Sequence, residues 1–325
     1  HNEGEGDPQR IYAETLALFN VAEQLGFDVG WVAQHHFKAR GGRLPSPFPF
    51  LAAASQRTSR LRLGTAVVVL PLEDLLRVAE DAAVVDALSG GRLELGVGTG
   101  GDPEEFEAFG RSLETRQAQT ASGIDLLHRA FHGEALGSRR QHLQPPAPTL
   151  ADRLWQGVMS VQSARNAAAN GLGLMLARSA FGAQPSDELQ LPLVEAYTQT
   201  LNGGGTPQRI GLSRSVYPAV DKQTALAAMR GEVMRNVEGL VAQGQLPAGL
   251  SLEAYCTRLN IAYGHPDEVA ATLRADRILP YATDLILQFS PAMPAFDEAT
   301  RMLEAIATVV APKLGWKSAT EGSVA

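Results

Sequence analysis

Residues 60–71 read Arg60-Leu61-Arg62-Leu63-Gly64-Thr65-Ala66-Val67-Val68-Val69-Leu70-Pro71, and the reading of this run decides the fold class. From 61 to 70 it is rich in β-branched residues and nearly continuous in apolar character, with no polar alternation. Such a run predicts a strand covered on both faces, which is the environment of a parallel sheet flanked by helices. The neighbouring segments agree. Residues 47–58 predict a helix before it, and 75–88 predict another after it, closed by Ser89-Gly90-Gly91. Residues 93–97 form a second buried strand, and 29–33 a short apolar run upstream. These three strands start about 32 residues apart, the size of one βα unit.

Helix and strand signals go on alternating from there. A helix over 8–25 opens the chain, and later strands are expected at 154–158, 173–177, 210–217 and 284–289. Repeated βα units imply either a closed (β/α)8 barrel or an open doubly wound sheet. Seven strands are counted, and the chain starts with His1 directly on a helix. The expectation is therefore a single α/β domain over 1–325, a (β/α)8 TIM barrel whose first strand is missing from this chain. Two connections, 178–208 and 242–264, are longer than the rest, as lids and binding loops tend to be.

Composition narrows the function class. Lys and Arg number 28 against 35 Asp and Glu, a net charge of −7 across 325 residues. That balance argues against a nucleic-acid surface. Hydrophobic residues make up 45%, enough to fill a large core and too many for a disordered chain. One cysteine, Cys256, cannot form an internal disulfide, and a reducing compartment fits it best. The polar residues 1–10 show no secretory signal, and the longest apolar stretch, 65–72, is too short to span a bilayer. A cytoplasmic protein without membrane or nucleic-acid partners is expected.

Barrel enzymes carry their chemistry at the C-terminal ends of the strands. There lie Gln34-His35-His36, Ala66 to Leu70, Gly96-Val97-Gly98-Thr99-Gly100-Gly101, Met159-Ser160 and Ala177-Arg178-Ser179. Adjacent residues of an extended strand face opposite ways. His35 and His36 therefore cannot share one metal, and one of them should face the cavity. Gly96, Gly98 and Gly101 match G-x-G-x-x-G, but the acidic residue a dinucleotide site needs about 20 residues on falls inside a helix, near Asp125. The glycines either let a flat or phosphorylated ligand approach the backbone or form a structural turn. Ser160 and Ser163 open a helix straight after a strand, which suits a phosphate and equally suits an ordinary N-cap. His128 and His132 stand at i, i+4 with no acidic third ligand beside them, so no metal site is expected.

Several of these segments together resemble the bacterial luciferase-like family of flavin monooxygenases. They are Gly26-Phe27-Asp28, Trp31 to Phe37, Leu44-Pro45-Ser46-Pro47, Arg60 to Pro71, Arg77-Val78-Ala79-Glu80-Asp81, Leu88-Ser89-Gly90-Gly91-Arg92, Gly96 to Gly100, Phe106 to Gly110, and Gly264-His265-Pro266-Asp267-Glu268-Val269. The likeness runs from about residue 11 to Trp316. It implies a barrel binding reduced, exchangeable FMN, which reacts with O2 to give a C4a-hydroperoxide that oxidises a small organic substrate. A separate flavin reductase would supply the reduced FMN. A deazaflavin-dependent oxidoreductase and a non-catalytic flavin-binding protein are the other readings of the same barrel.

The resemblance also implies roles. The catalytic histidine of the family corresponds to His35, acting on a proton. His36 and Glu80 correspond to residues near a dimer contact, so a homodimer is expected. A non-prolyl cis peptide would fall at Ala66–Val67. Cofactor-binding residues would be Ala66, Val97, Gly98, Thr99, Met159, Ser160, Ser163 and Arg178. Two departures stand out: Gln34 replaces a usual Glu, and Thr99 replaces an arginine on the FMN phosphate. Arg178, or else Arg116, would return that lost charge.

Overall fold

The computed structural model describes residues 7–37, 44–179, 185–201 and 207–317, which form two compact units. Helix α1, Pro8–Gln24, belongs to the second unit by its packing. Asp7 starts it by accepting a hydrogen bond from the Gln9 N–H at 3.1 Å, Pro8 occupies the first turn, and Ile11, Leu16 and Phe19 form its buried face.

The first unit spans 28–157 with 170–173. Its elements are β1 (Val29–Val32), α2 (Pro47–Ser55), β2 (Arg62–Val69), α3 (Leu75–Ser89), β3 (Leu93–Gly98), α4 (Pro103–Ala108), α5 (Arg116–Phe131) and β4 (Leu154–Val158). β1 pairs with β2, β2 with β3 and β3 with β4, all parallel. Every residue of β3 is buried, which is why that strand shows no polar alternation. The layers interlock through tryptophans over glycines. A Cβ at Gly64 would lie 2.1 Å from the Trp31 ring, and one at Gly173 would lie 2.2 Å from the Trp155 ring. The two indoles meet edge to face at 5.8 Å.

The Leu88-Ser89-Gly90-Gly91-Arg92 motif proves to be a structural joint. Gly90 and Gly91 adopt φ of +69° and +83°, a backbone that side chains rarely tolerate. They turn the chain so that Arg92 reaches the carbonyls of Ser89, Leu61, Ser55 and Thr58 at 2.6–3.0 Å. One guanidinium thereby ties the C-terminus of α2 and the start of β2 to the start of β3.

The second unit takes in 158–169 and the chain from 174 onward. It holds α6 (Val161–Ala169), β5 (Gly173–Leu176), α7 (Ser186–Leu201), β6 (Ile210–Pro218), α8 (Lys222–Ala242), α9 (Leu252–Arg258), β7 (Ile261–Gly264), α10 (Pro266–Arg274), β8 (Asp284–Gln288) and α11 (Phe296–Ala305). β6 is its spine, pairing in parallel with β5 through Ile210–Leu212, with β8 through Gly211–Ser215 and with β7 through Ser215–Pro218. The seven strands expected from sequence are all present. β7 is an eighth, inside the 242–264 connection, and it is its pairing with β6 that marks it as a strand. The 178–208 connection carries α7, while its parts at 180–184 and 202–206 lie outside the described residues. The Gly264-to-Val269 motif is likewise a helix start: His265 and Glu268 form a capping box, with Pro266 in the first turn of α10.

Candidate functional site

In the first unit the site residues gather at the C-terminal ends of β1, β2 and β3, and Gln34 is their clamp. Its backbone N–H donates to the Val67 carbonyl at 3.4 Å. Its side-chain Oε1 accepts from the Val69 N–H at 2.8 Å, while Nε2 donates to Glu73 Oε1 at 2.5 Å and to the Pro45 carbonyl at 3.1 Å. An amide can accept and donate at once; a glutamate here would face the Glu73 carboxylate. The next residue, His35, donates its N–H to the Leu44 carbonyl at 3.2 Å and is exposed. His36 is buried instead. Its N–H donates to Glu105 Oε1 at 2.9 Å, and its ring stands edge-on to Phe109 at 4.7 Å.

The Ala66–Val67 peptide is cis, and the β2–β3 ladder shifts register between Thr65 and Val68. Ala66 and Val67 are partly exposed in a strand that is otherwise almost wholly buried. Val67 lies flat across the strands beside it: a Cβ at Gly98 would be 2.4 Å from its Cγ2, and one at Gly157 would be 3.2 Å from its Cγ1. Gly100, at φ +65°, is likewise filled by Val69 and Phe106, whereas nothing lies within 4 Å of a Cβ at Gly101. The glycine cluster is therefore mostly explained by packing of the chain on itself. Ala66, Val67 and Thr99 are thus partly exposed at this end of the strands, while Val97 and Gly98 are buried, with Val67 packed over Gly98.

The second unit places Met159, Ser160 and Ser163 at the N-terminus of α6. Met159 is 74% exposed. The serines brace one another: Ser163 N–H donates to Ser160 Oγ at 3.2 Å, Ser160 N–H to Ser163 Oγ at 3.1 Å, and the two hydroxyls are 3.0 Å apart. Both hydroxyls stay at the start of the helix, where its dipole favours an anion. Arg178 follows β5, with Nη1 donating to Ser290 Oγ at 2.5 Å. Burial pulls its guanidinium pKa below the ordinary arginine value. The alternative, Arg116, turns back to the Leu113 carbonyl of its own helix start.

Glu73 and Ser290 are not marked by any pattern in the sequence. Each acts across a long separation, and no local pattern marks such a pairing. Among the described residues no group of three or more His, Cys, Asp or Glu could hold a metal, and His128 and His132 simply stack at 6.0 Å. No described helix is long and apolar enough to cross a membrane.

The family model described as luciferase-like monooxygenase matches residues 1–279, and the chain belongs to that family. Among curated relatives, 4-hydroxyprotoasukamycin monooxygenase of Streptomyces nodosus subsp. asukaensis is 39% identical over 128 residues, 39% of this chain and 34% of that protein. The chain spans between a third and a half of the length of the first such relatives. Among solved structures, the monooxygenase RslO1 from Streptomyces bottropensis superposes with a TM-score of 0.78 at 27% identity, covering 95% of both chains. The oxygenating constituent of 3,6-diketocamphane monooxygenase from Pseudomonas putida, in complex with FMN, gives 0.76 at 16% identity, over 96% of this chain and 95% of that one. The coenzyme F420-dependent tetrahydromethanopterin reductase from Methanopyrus kandleri gives 0.67 at 16%, over 95% and 96%. The fold is thus α/β of the luciferase-like type, parallel strands flanked by helices.

Proposed function

We propose that the chain is the oxygenating component of a monooxygenase that takes reduced FMN from a separate reductase and uses O2 to oxidise a small organic substrate. The observation that carries this reading is the exposed His35 imidazole, one residue from a Gln34 whose N–H and side chain are fastened to Val67 and Val69 of β2. Partly exposed apolar residues at the end of β2 and an exposed histidine at the end of β1 suit a planar ring better than they suit a sugar or a peptide. Bound reduced FMN supplies the electrons that activate oxygen. Ala66, Val97, Gly98 and Thr99 support the ring and keep water from its lower face. The family resemblance assigns the phosphate tail to Met159, Ser160 and Ser163 at the start of α6. His35 holds or moves a proton at an imidazole nitrogen during the reaction. A cytoplasmic homodimer with His36 and Glu80 near its interface completes the proposal.

Mixing the purified chain with reduced FMN and oxygen tests it. A long-lived species absorbing in the near ultraviolet is expected. Binding of the deazaflavin alone would favour the hydride-transferring alternative, for which one structural neighbour of this fold provides the precedent. Binding of oxidised FMN without any reaction with oxygen would leave a flavin-binding protein. His35→Ala should leave FMN affinity intact and lower turnover by about 100- to 10,000-fold; lost binding with undiminished turnover per bound flavin would contradict the role.

A further inference from the structure

Two arginines of the second unit differ in their surroundings: Arg214 is buried and Arg178 half-buried. Arg214 is 1% exposed and fully engaged: Nε donates to Asp276 at 2.5 Å, Nη2 to Gln190 at 3.0 Å and Nη1 to the Ser213 carbonyl at 2.8 Å. Its charge is matched and its donors are used. Among the described residues Arg178 has a single side-chain bond, to the neutral Ser290 hydroxyl. Among the described residues no carboxylate lies within ion-pair distance of it. The next residues in sequence, Ala180-Phe181-Gly182-Ala183-Gln184, contain no acid either. A half-buried guanidinium gives up part of its hydration and, without an anion, gains no charge partner in return. A planar fork with unused donors is built to take a carboxylate or phosphate through two parallel bonds.

The surroundings are preorganised for such a role. Asn260 Nδ2 donates to the Arg178 carbonyl at 3.4 Å, and Ser179 Oγ donates to the Leu259 carbonyl at 2.8 Å, so the backbone on both sides of the guanidinium's anchor is held. Ser290 follows β8 two residues after Gln288, whose Nε2 donates to Ser213 Oγ at 2.6 Å. Ser215, the register partner of Gln288, is fully buried, and its hydroxyl has no hydrogen-bond partner among the described residues. Ser213 and Ser215 lie two apart, on one face of β6. Among the described residues, then, the Arg178 guanidinium just beyond β5 lacks an anion and the Ser215 hydroxyl inside the neighbouring β6 lacks a partner, where a packed core would satisfy both.

We propose that Arg178, braced by Ser290, binds a carboxylate and so selects an acidic organic substrate over a neutral one. This deepens the monooxygenase reading and rests on it only for the fate of the bound acid. The phosphate of a flavin, the role expected for Arg178 from sequence, is the competing anion. The α6 N-terminus with Ser160 and Ser163 already offers that phosphate a place.

Calorimetric titration of the full chain without flavin tests the proposal, using matched probes: acetate against acetamide, hexanoate against hexanamide, benzoate against benzamide. At least one acid should bind ten times more tightly than its amide. Arg178→Met should abolish that preference, Arg178→Lys should retain part of it, and Ser290→Ala should weaken it several-fold. The ratio of FMN to riboflavin affinity should not change in Arg178→Met. The proposal falls if no acid is preferred over its amide, or if the preference survives Arg178→Met. It also falls if that variant loses tenfold for FMN but nothing for riboflavin, which would make Arg178 the phosphate clamp. Should Arg178→Met fail to fold, Arg178→Lys and Ser290→Ala carry the same comparison. A chain that never reacts with oxygen would defeat the monooxygenase reading and leave this binding result standing.

Discussion

Gln34 shows how one side chain can hold a reactive neighbour in place. It is 3% exposed and joins the end of β1 to β2, to Glu73 and to the Leu44–Pro45 segment that also receives the His35 N–H. Removing it strands the buried Val69 N–H, and such a loss costs about 1–3 kcal/mol. Gln34→Ala should therefore lower the free energy of unfolding by about that amount in urea titration. Gln34→Glu should be worse at pH 7 than at pH 5, because two carboxylates would then share one site and the second proton would be held more tightly. A pH-independent effect of Gln34→Glu would remove Glu73 from the argument. Neither substitution touches the α6 serines, so phosphate binding should survive both.

Among the elements, α3 is the one with a face to spare. Val78, Ala79, Ala82, Ala83 and Val85 are buried, while Leu76, Val84 and Leu88 are 48%, 43% and 50% exposed. Those three, with Glu80, recur every four residues and share one side of the helix. Glu80 pairs with Arg77 on that side at 2.7 Å. In the proposed homodimer this apolar stripe meets its own copy, so each substitution acts twice about the symmetry axis. Val84→Arg should convert a dimer to a monomer in analytical ultracentrifugation without loss of helical signal. A wild-type chain that sediments as a monomer at micromolar concentration would end the dimer proposal.

At the scale of the whole molecule, stability should have a plateau with an edge on each side. Burial is the first cause that raises the hydroxyl pKa of Tyr197, Tyr217 and Tyr263 above the ordinary 10.0, and it pushes the Cys256 thiol up to about 12. A group whose pKa is higher in the folded state gives its full stabilisation below its unfolded pKa and loses it as pH rises toward the folded one. The melting temperature should therefore fall above about pH 9, where unfolded thiol and phenols ionise first. On the acid side, Asp221 and Glu268 are held low by backbone N–H groups and Asp267 by Lys313. Their contribution is present above the ordinary carboxylate range and is lost as pH falls through it. Scanning calorimetry from pH 3 to 11 reads both edges, and a melting temperature that holds or climbs between pH 9 and 11 would contradict the alkaline one.

Local chemistry in the sequence determined the alternation of buried strands and helices, the glycine turn at Gly90-Gly91, and the position of His35 just beyond a strand. Apolar periodicity and turn residues report the environment of their own few neighbours, so those features can be read along the chain. The tertiary structure alone decided that Gly98 is small because Val67 fills its space, that Gln34 grips Glu73 from 39 residues away, and that Arg178 meets a serine 112 residues on and, among the described residues, no acid. It also decided that residues 261–264 form a strand, since β6 supplies their partner. Pairings of this kind are set by which surfaces the folded chain brings within hydrogen-bond range, and no local spacing encodes that.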